Sequence, residues 1–307
     1  MSTTTQESLA VGRPFVPSLP RTHRAWHGGL LGSEFAWAIA FAVPYALLFC
    51  AFVIYPVAYG LWLGSSPALY TELFSDPRFL TAVVNTCLYV GIGVNLKMVL
   101  AFLLSGFFMR KRWWVKSLLV IYILPWAVPA LPAFMSIHWM LNGQWGFLNS
   151  ALWMLFGIDG PTWLNSHWLG MGANIASYIW KNMPFWTVIF IAGRMAIPQE
   201  LYEAADMDGA TGLRRFRHVT FPLMAQLYLV STLLSTIWSL GDFNAVFFVS
   251  GGGPAMSTEV LATLGIRYAF TIGDPRLGVA CVMCALPLLI PIVVLLMHKM
   301  RKQEVQL

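Results

Sequence analysis

Ile197-Pro-Gln-Glu-Leu-Tyr-Glu-Ala-Ala-Asp-Met-Asp-Gly-Ala210 is a polar island between two long apolar runs, residues 169–195 and 224–248. Pro198 suits the first turn of a helix, where its missing N–H costs nothing, and Gly209 suits a left-handed stop. The spacing predicts a helix of about ten residues between them, roughly 15 Å long at 1.5 Å per residue. Leu201, Ala204 and Ala205 share one face, and two small side chains there let another protein surface approach the backbone closely. By itself the stretch reads equally well as a plain amphipathic connector or as a contact site, so its surroundings must decide.

Those surroundings are membrane-like. The chain is 58% apolar and only 10% charged, against about 25% charged for soluble domains, and its mean hydropathy is +0.67. Six runs are long enough to cross a bilayer, which takes about 20 apolar residues. They cover residues 35–63, 82–109, 117–141, 169–195, 224–248 and 277–300. Pro44 and Pro56 in the first run, and Pro125, Pro129 and Pro132 in the third, predict kinks or breaks. Three prolines do not suit an oil-facing helix, so the third run is expected to line the interior, where neighbours satisfy freed carbonyls.

Charge placement orients the spans. With the N-terminus inside, the inner segments hold Arg13, Arg21, Arg24, Arg110, Lys111, Arg112, Lys116, Arg194, Arg214, Arg215, Arg217, Lys299, Arg301 and Lys302, whereas the outer loops hold Arg78, Arg267 and Arg276. Fourteen against three predicts both termini inside and puts the polar island in the cytoplasm. It also removes a nucleic-acid reading of the +6 net charge, because the basic residues flank spans instead of forming one patch. The expected organisation is a tail over 1–33, a membrane domain over 34–302 and a short tail over 303–307. Cys50, Cys87, Cys281 and Cys284 lie in apolar runs without metal-type spacing and are expected to be buried reduced thiols.

Two outer segments are more than loops. Phe147–Phe156 is apolar but too short to span, which predicts an interfacial or re-entrant helix. Residues 250–254, Ser-Gly-Gly-Gly-Pro, predict a flexible turn leading through Val260, Leu261, Leu264 and Ile266 to the last span.

The polar island also carries a likeness. Glu203-Ala-Ala-x-x-Asp208-Gly-Ala210, with Phe216, Val219 and Pro222 at their spacings, resembles the EAA loop of permease subunits of binding-protein-dependent ABC importers. Trp180-Lys181-x-x-Pro184-Phe185, Ile197-Pro198-x-Glu200-Leu201-Tyr202, and Gly251–Pro254 with Thr258, Leu261, Tyr268 and Phe270 are similar to the carbohydrate-uptake branch of that family. So are Asp76, Phe79, Asn85 and Thr86 before the second span, and Gly146, Asn149 and Leu152 in the short helix. Phe221 before Pro222, Gln226, Arg194 and Lys97 depart from the usual pattern.

The resemblance implies an all-α, six-span permease with a cytoplasmic coupling loop, in a bacterial inner membrane. It implies docking on an ATPase subunit through Glu203, Ala204, Ala205, Asp208, Gly209, Ala210, Phe216 and Pro222. It further implies a second permease subunit, two ATPase copies, and a solute-binding protein met by Gly251, Gly252, Gly253 and Pro254. ATP and Mg would belong to the ATPase, since this chain has no G-x-x-x-x-G-K-[ST] run to cradle phosphates. No Ser/His/Asp set, metal motif or paired carboxylates support an enzyme reading, and no metal site or cofactor is expected on this chain.

Ionisable groups within spans are functional suspects. Lys97, Lys181 and Asp242 fall at depths that allow Asp242 to pair with either lysine, although Lys181 reads equally well as snorkelling outward. Most tryptophans, including Trp113, Trp114, Trp153, Trp163 and Trp168, fall at interfaces, where aromatic belts are ordinary. Trp238 and Trp180 lie inside spans near Asn182 and Asn244 and are candidates for an aromatic, polar site. His138, His167, His218 and His298 are expected to be solvated at span ends. The expected cargo is a sugar or polyol, taken up by alternating access. A permease for a polyamine or amino acid, or a secondary transporter, is the competing expectation.

Overall fold

The computed structural model describes residues 33–304, with side chains over 37–301. Most of the tail expected over 1–33, with its three arginines, and residues 305–307 lie outside the described residues. The described residues are helical, without strands. The chain divides at Pro56 into two compact units. The first contains α1 (Ser33–Phe49), with Pro44 inside it, and a π-helical turn, Cys50–Ile54. Pro56 lies just beyond that turn, and the Tyr55 N–H reaches back to the carbonyl of Cys50, so the backbone widens here instead of breaking. Helix α2 (Tyr55–Leu63) follows.

The second unit begins at Val57, within α2, and continues with α3 (Pro67–Ser75) and α4 (Pro77–Phe108). Asp76 caps α4 through its side chain, which accepts from Arg78 N at 2.9 Å, and Pro77 occupies the first turn. The second span therefore starts at Pro77, five residues before the apolar run suggests. After it come α5 (Trp113–Ala127), α6 (Ala130–Met140), α7 (Phe147–Phe156), α8 (His167–Met195) and α9 (Gln199–Met207). The chain continues through α10 (Gly212–Arg215), α11 (Phe221–Gly241), α12 (Leu261–Ile266), α13 (Pro275–Met283) and α14 (Leu286–Glu304). Three more π-helical turns, Phe216–Thr220, Val246–Ser250 and Arg267–Ile272, adjoin α11 and α12.

Among the described residues, four helices are long and apolar enough to cross a membrane: Trp37–Leu63, Pro77–Phe108, Gly212–Gly241 and Pro275–Arg301. A fifth span exists if α5 and α6, bent by 97° at the proline break, count together. The 29-residue α8 is long enough but not apolar enough, and its position explains why. It packs centrally against α4, α5 and α11, so Asn174, Ser177, Lys181 and Thr187 face protein and not lipid. Together α4 and α8 enclose the main core with Val94, Met98, Phe102, Trp186 and Phe190. A second cluster joins Leu73, Phe79, Leu261, Leu264 and Leu277 from α3, α4, α12 and α13.

Several expectations change. The broken third run is mostly exposed in this chain, and its buried residues are Ala133 and Phe134, beyond the break. The fifth span ends at Gly241, not at residue 248, because Asp242 adopts an extended conformation and its Oδ1 accepts from Asn244 N. Of the four free cysteines, Cys50 and Cys87 are exposed and only Cys281 is fully buried. A thiol facing lipid incurs no penalty that would drive it inside. The short helix α7 has the expected bounds and stops at Gly157, which takes φ +66°.

Candidate functional site

The proline break shapes the site. Pro129 and Pro132 have no N–H, so the carbonyls four residues earlier, Pro125 and Val128, lose their helical partners. Lys181 supplies the replacement from α8. Its Nζ donates to the carbonyls of Pro125 at 2.8 Å, Trp126 at 3.1 Å and Val128 at 2.5 Å. An ammonium has three N–H donors, and all three are used here. Lys181 is 7% exposed, so it does not snorkel outward but fastens the bend to α8.

Beside that fastening lies a cavity of about 330 Å³ that brings together six residues expected on a permeation path: Lys97, Lys181, Asn182, Trp238, Asp242 and Asn244. They come from α4, α8 and the end of α11, up to 147 positions apart in sequence. Trp180 is not among the lining residues. It borders two apolar clefts instead. Trp126, Phe185 and Trp186 complete the aromatic wall, with ring centroids 5.5 Å apart for Trp126–Phe185 and 5.6 Å for Trp186–Trp238. The sequence reading missed these three, and also Tyr178, whose hydroxyl accepts from Lys97 Nζ at 2.6 Å.

The direct Asp242–lysine pair does not form. The ion pairs among the described residues are Arg78–Asp76, Arg215–Asp206 and Arg267–Glu259. Asp242 Oδ1 accepts from Asn244 N and Nδ2, each at 3.0 Å, and Oδ2 accepts weakly from Tyr89 at 3.4 Å. The carboxylate is occupied in holding the end of α11. Lys97 is 1% exposed, with its ammonium 4.2 Å from the centre of the Tyr178 ring. The geometry thus offers hydrogen-bond donors and aromatic faces to a polar molecule, without a nucleophile–base pair.

The polar island forms α9 as a nine-residue helix. Pro198 is its cap, one position earlier than the sequence suggests, while Gly209 takes φ +71° as expected and Gly212 takes a second left-handed turn at +56°. The segment beyond, α10, runs through the π-helical turn into α11 as one continuous helix, Gly212–Gly241. Glu203, Ala204, Asp208, Gly209 and Pro222 are exposed, so they are available for contact. Ala205 is buried, Ala210 is half-buried, and Phe216 packs its ring on Phe102 and Phe221, so these three anchor the loop to its own chain. Arg194, which departs from the family pattern, ties α8 to α4 by donating to Ser105 Oγ at 2.7 Å and the Phe102 carbonyl at 3.1 Å.

The glycine turn at the opposite end is anchored, not flexible. Gly251 and Gly252 take φ +61° and +80°, and a Cβ on Gly252 would stand 2.6 Å from Glu259 Cγ. Asn85 Nδ2 donates to the Ser257 and Glu259 carbonyls at 2.7 and 2.8 Å, Thr258 Oγ1 to the Gly253 carbonyl at 2.7 Å, and Leu261 N to Thr86 Oγ1 at 2.9 Å. His167 and His138 hold the carbonyls of Ser257 and Val249 at 2.9 and 2.7 Å, so they are structural contacts rather than solvated ends. Glu259 is 1% exposed and paired with Arg267, and burial pushes its carboxyl above the usual range. Asp76 differs. Its hydrogen bonds from Arg78 hold it down at about 2 despite partial burial, and Tyr268 also donates to it at 2.6 Å. Of the four turn residues only Gly251 is exposed, and Gly252 is buried.

Residues 97–300 match the family model described as binding-protein-dependent transport system inner membrane component. The chain is 33% identical over 249 residues to the sulfoquinovosyl glycerol transport system permease protein SmoG of Agrobacterium fabrum, covering 73% of this chain and 77% of that protein. It is 29% identical over 252 residues to the trehalose/maltose transport system permease protein MalF of Thermococcus litoralis, covering 78% and 84%. In structure it is similar to a chain of a bacterial ABC transporter that imports the acidic polysaccharide alginate, with a TM-score of 0.76 at 21% identity, covering 88% and 96%. That degree of identity shows a shared fold.

Proposed function

The chain belongs to the binding-protein-dependent transport system inner membrane component family, and from that premise we propose that it is the multi-pass permease subunit of an ABC importer for a sugar or related polyol. The observation that carries the reading is the meeting of Lys97, Asn182, Trp238, Asp242 and Asn244 in one aromatic, polar cavity of a membrane chain. Aromatic faces can stack on the apolar faces of a sugar ring while amide and charged groups serve its hydroxyls. The relatives' names support the cargo class, since they include sulfoquinovosyl glycerol, trehalose/maltose and diacetylchitobiose.

The finer arrangement follows. Six spans cross the membrane with both termini inside, α8 and the bent α5–α6 pair each counting as one, in accord with fourteen inner against three outer basic residues. Helix α9 enters a cleft on a cytoplasmic ATPase subunit. Glu203 offers its carboxylate to a basic group there, and Ala204 permits close approach. Two ATPase copies hold ATP and Mg, and a second permease subunit completes the path. Closure of the ATPase pair moves α9, and Phe216 passes that movement to α11 and hence to the cavity at Asp242. Gly251 and its neighbours meet a loaded solute-binding protein on the outer side.

The paired change Glu203→Lys and Gly209→Pro tests the coupling role. Uptake and co-purification of the ATPase should both be lost while the chain still reaches the membrane. Unchanged assembly and uptake would overturn docking through α9. Competition of labelled sugars, amino acids and polyamines in the intact transporter tests the cargo class, and only sugars or polyols should compete.

A further inference from the structure

We propose that the cavity is selective for an anionic sugar, one bearing a carboxylate, sulfate, sulfonate or phosphate, and that Lys97 is the residue that confers this selectivity. The proposal rests on reading the cavity as the carbohydrate path and names the charge of its cargo.

The two lysines at the cavity are not equivalent. Lys181 spends all three donors on the carbonyls of Pro125, Trp126 and Val128, so it has none left for a ligand. Its charge nevertheless remains at the wall of the cavity. Lys97 has one hydrogen bond, to the Tyr178 hydroxyl, and two N–H groups without a bond among the described residues. No carboxylate of the described residues lies within ion-pairing distance of it. Asp242 is the one acidic residue in the cavity lining, and its oxygens are taken up by Asn244 and Tyr89.

Counted as formal charges, two lysines against one aspartate give the cavity one surplus positive charge when both lysines are protonated. A buried ammonium without an anion is costly, and the cost falls when an anion arrives that can accept its hydrogen bonds. A neutral sugar would leave that cost in place, and a cationic one would add to it. The low-dielectric aromatic wall of Trp126, Phe185 and Trp186 strengthens the preference by keeping water from screening the charge. Asp242 opposes this preference in part, and its repulsion directs the anionic group toward the Lys97 side.

The experiment uses the assembled transporter in lipid nanodiscs and four matched probes: methyl glucoside, glucuronate, glucose 6-sulfate and glucosamine. Binding is read from quenching of tryptophan fluorescence. Glucuronate and glucose 6-sulfate should bind at least about tenfold more tightly than methyl glucoside, and glucosamine more weakly. Lys97→Met should erase the difference by weakening glucuronate and glucose 6-sulfate far more than methyl glucoside, and Lys97→Arg should retain it. Weakening of methyl glucoside by as large a factor as glucuronate in Lys97→Met would show damage to the site as a whole and would count against a selectivity role. Equal binding of neutral and acidic probes, or a preference that survives Lys97→Met, overturns this proposal and leaves the carbohydrate reading intact. Quenching by succinate but by no sugar overturns the carbohydrate reading, and with it the acidic-sugar proposal. No binding of any probe overturns the assignment of the cavity as a ligand site.

Discussion

The two ends of the helical unit are built on opposite plans. At one end, the turn from Ser250 to Glu259 is held by hydrogen bonds from α4 and α8 and by a buried ion pair, Glu259–Arg267. At the other end, α9 depends on Ala205 and Phe216 for anchorage, and its polar contacts are exposed: Arg215–Asp206 at 3.0 Å and Gln199–Glu203 at 2.9 Å. Both use left-handed glycines, but with different surroundings. A Cβ on Gly252 would collide with Glu259, whereas one on Gly209 would meet nothing within 4 Å. The contrast teaches that glycine serves close packing at the first turn and only backbone direction at the second. The first is a fixed post, and the second, under the docking proposed above, is a lever that works on a partner outside the chain.

The largest effect should come from Arg267→Met, which leaves Glu259 buried and unpaired. A loss of about 3–5 kcal/mol is expected for a broken buried pair, measured by denaturant unfolding in detergent. The sign with pH checks the cause. A carboxyl whose folded value is raised contributes stability below its unfolded value, and this is lost as pH rises through the folded value. The variant should therefore recover stability on acidification, and adding Glu259→Gln should restore much of it at neutral pH.

Gly252→Ala should cost somewhat less, about 1–3 kcal/mol, from strain at φ +80° together with the clash on Glu259. Gly209→Ala should cost about 1–2 kcal/mol, the left-handed penalty alone. Equal losses at the two glycines would break the comparison. Asp206→Ala should shift stability by less than about 1 kcal/mol, because its pair with Arg215 is exposed. Finally, Asp76 should act with the opposite sign to Glu259. Its folded value is lowered to about 2, so its contribution is present above its ordinary value of 3.8 and is lost as pH falls toward 2. Asp76→Asn should flatten that acid limb of a stability profile without changing the limb set by Glu259.

The sequence makes the lever more legible than the post. The bounds of α7, the nine-residue α9, the stop at Gly209 and the break between α5 and α6 all follow from local chemistry: prolines, glycines and apolar runs. Local chemistry also shows that Pro129 and Pro132 must orphan two carbonyls. It does not show that Lys181, more than fifty positions later, supplies the protons. Likewise five of the six cavity residues stand out because ionisable and amide groups are expensive within a span, and Trp238 stands out as an aromatic beside them. The occupation of Asp242 by Asn244 and Tyr89, and so the lack of an ion pair, depends on where α11 unwinds. The anchoring of the glycine turn is hidden for a similar reason: glycine marks unusual dihedrals, and only the contacts with Glu259 and the distant Asn85 and His167 reveal that these are locked. Helix α8 shows the converse limit, since a helix covered by its neighbours no longer needs the apolar composition by which spans are recognised.

The π-helical turn at Phe216–Thr220 has one more consequence. It places one residue more than an α-helix needs between the polar loop and α11. One residue corresponds to about 100° of rotation about the helix axis. The turn is thus a spare link in a drive shaft: taking it up would re-aim α9 by more than a quarter turn while leaving α11 seated. Deleting a single residue between Phe216 and Thr220 would mistime the shaft without cutting it.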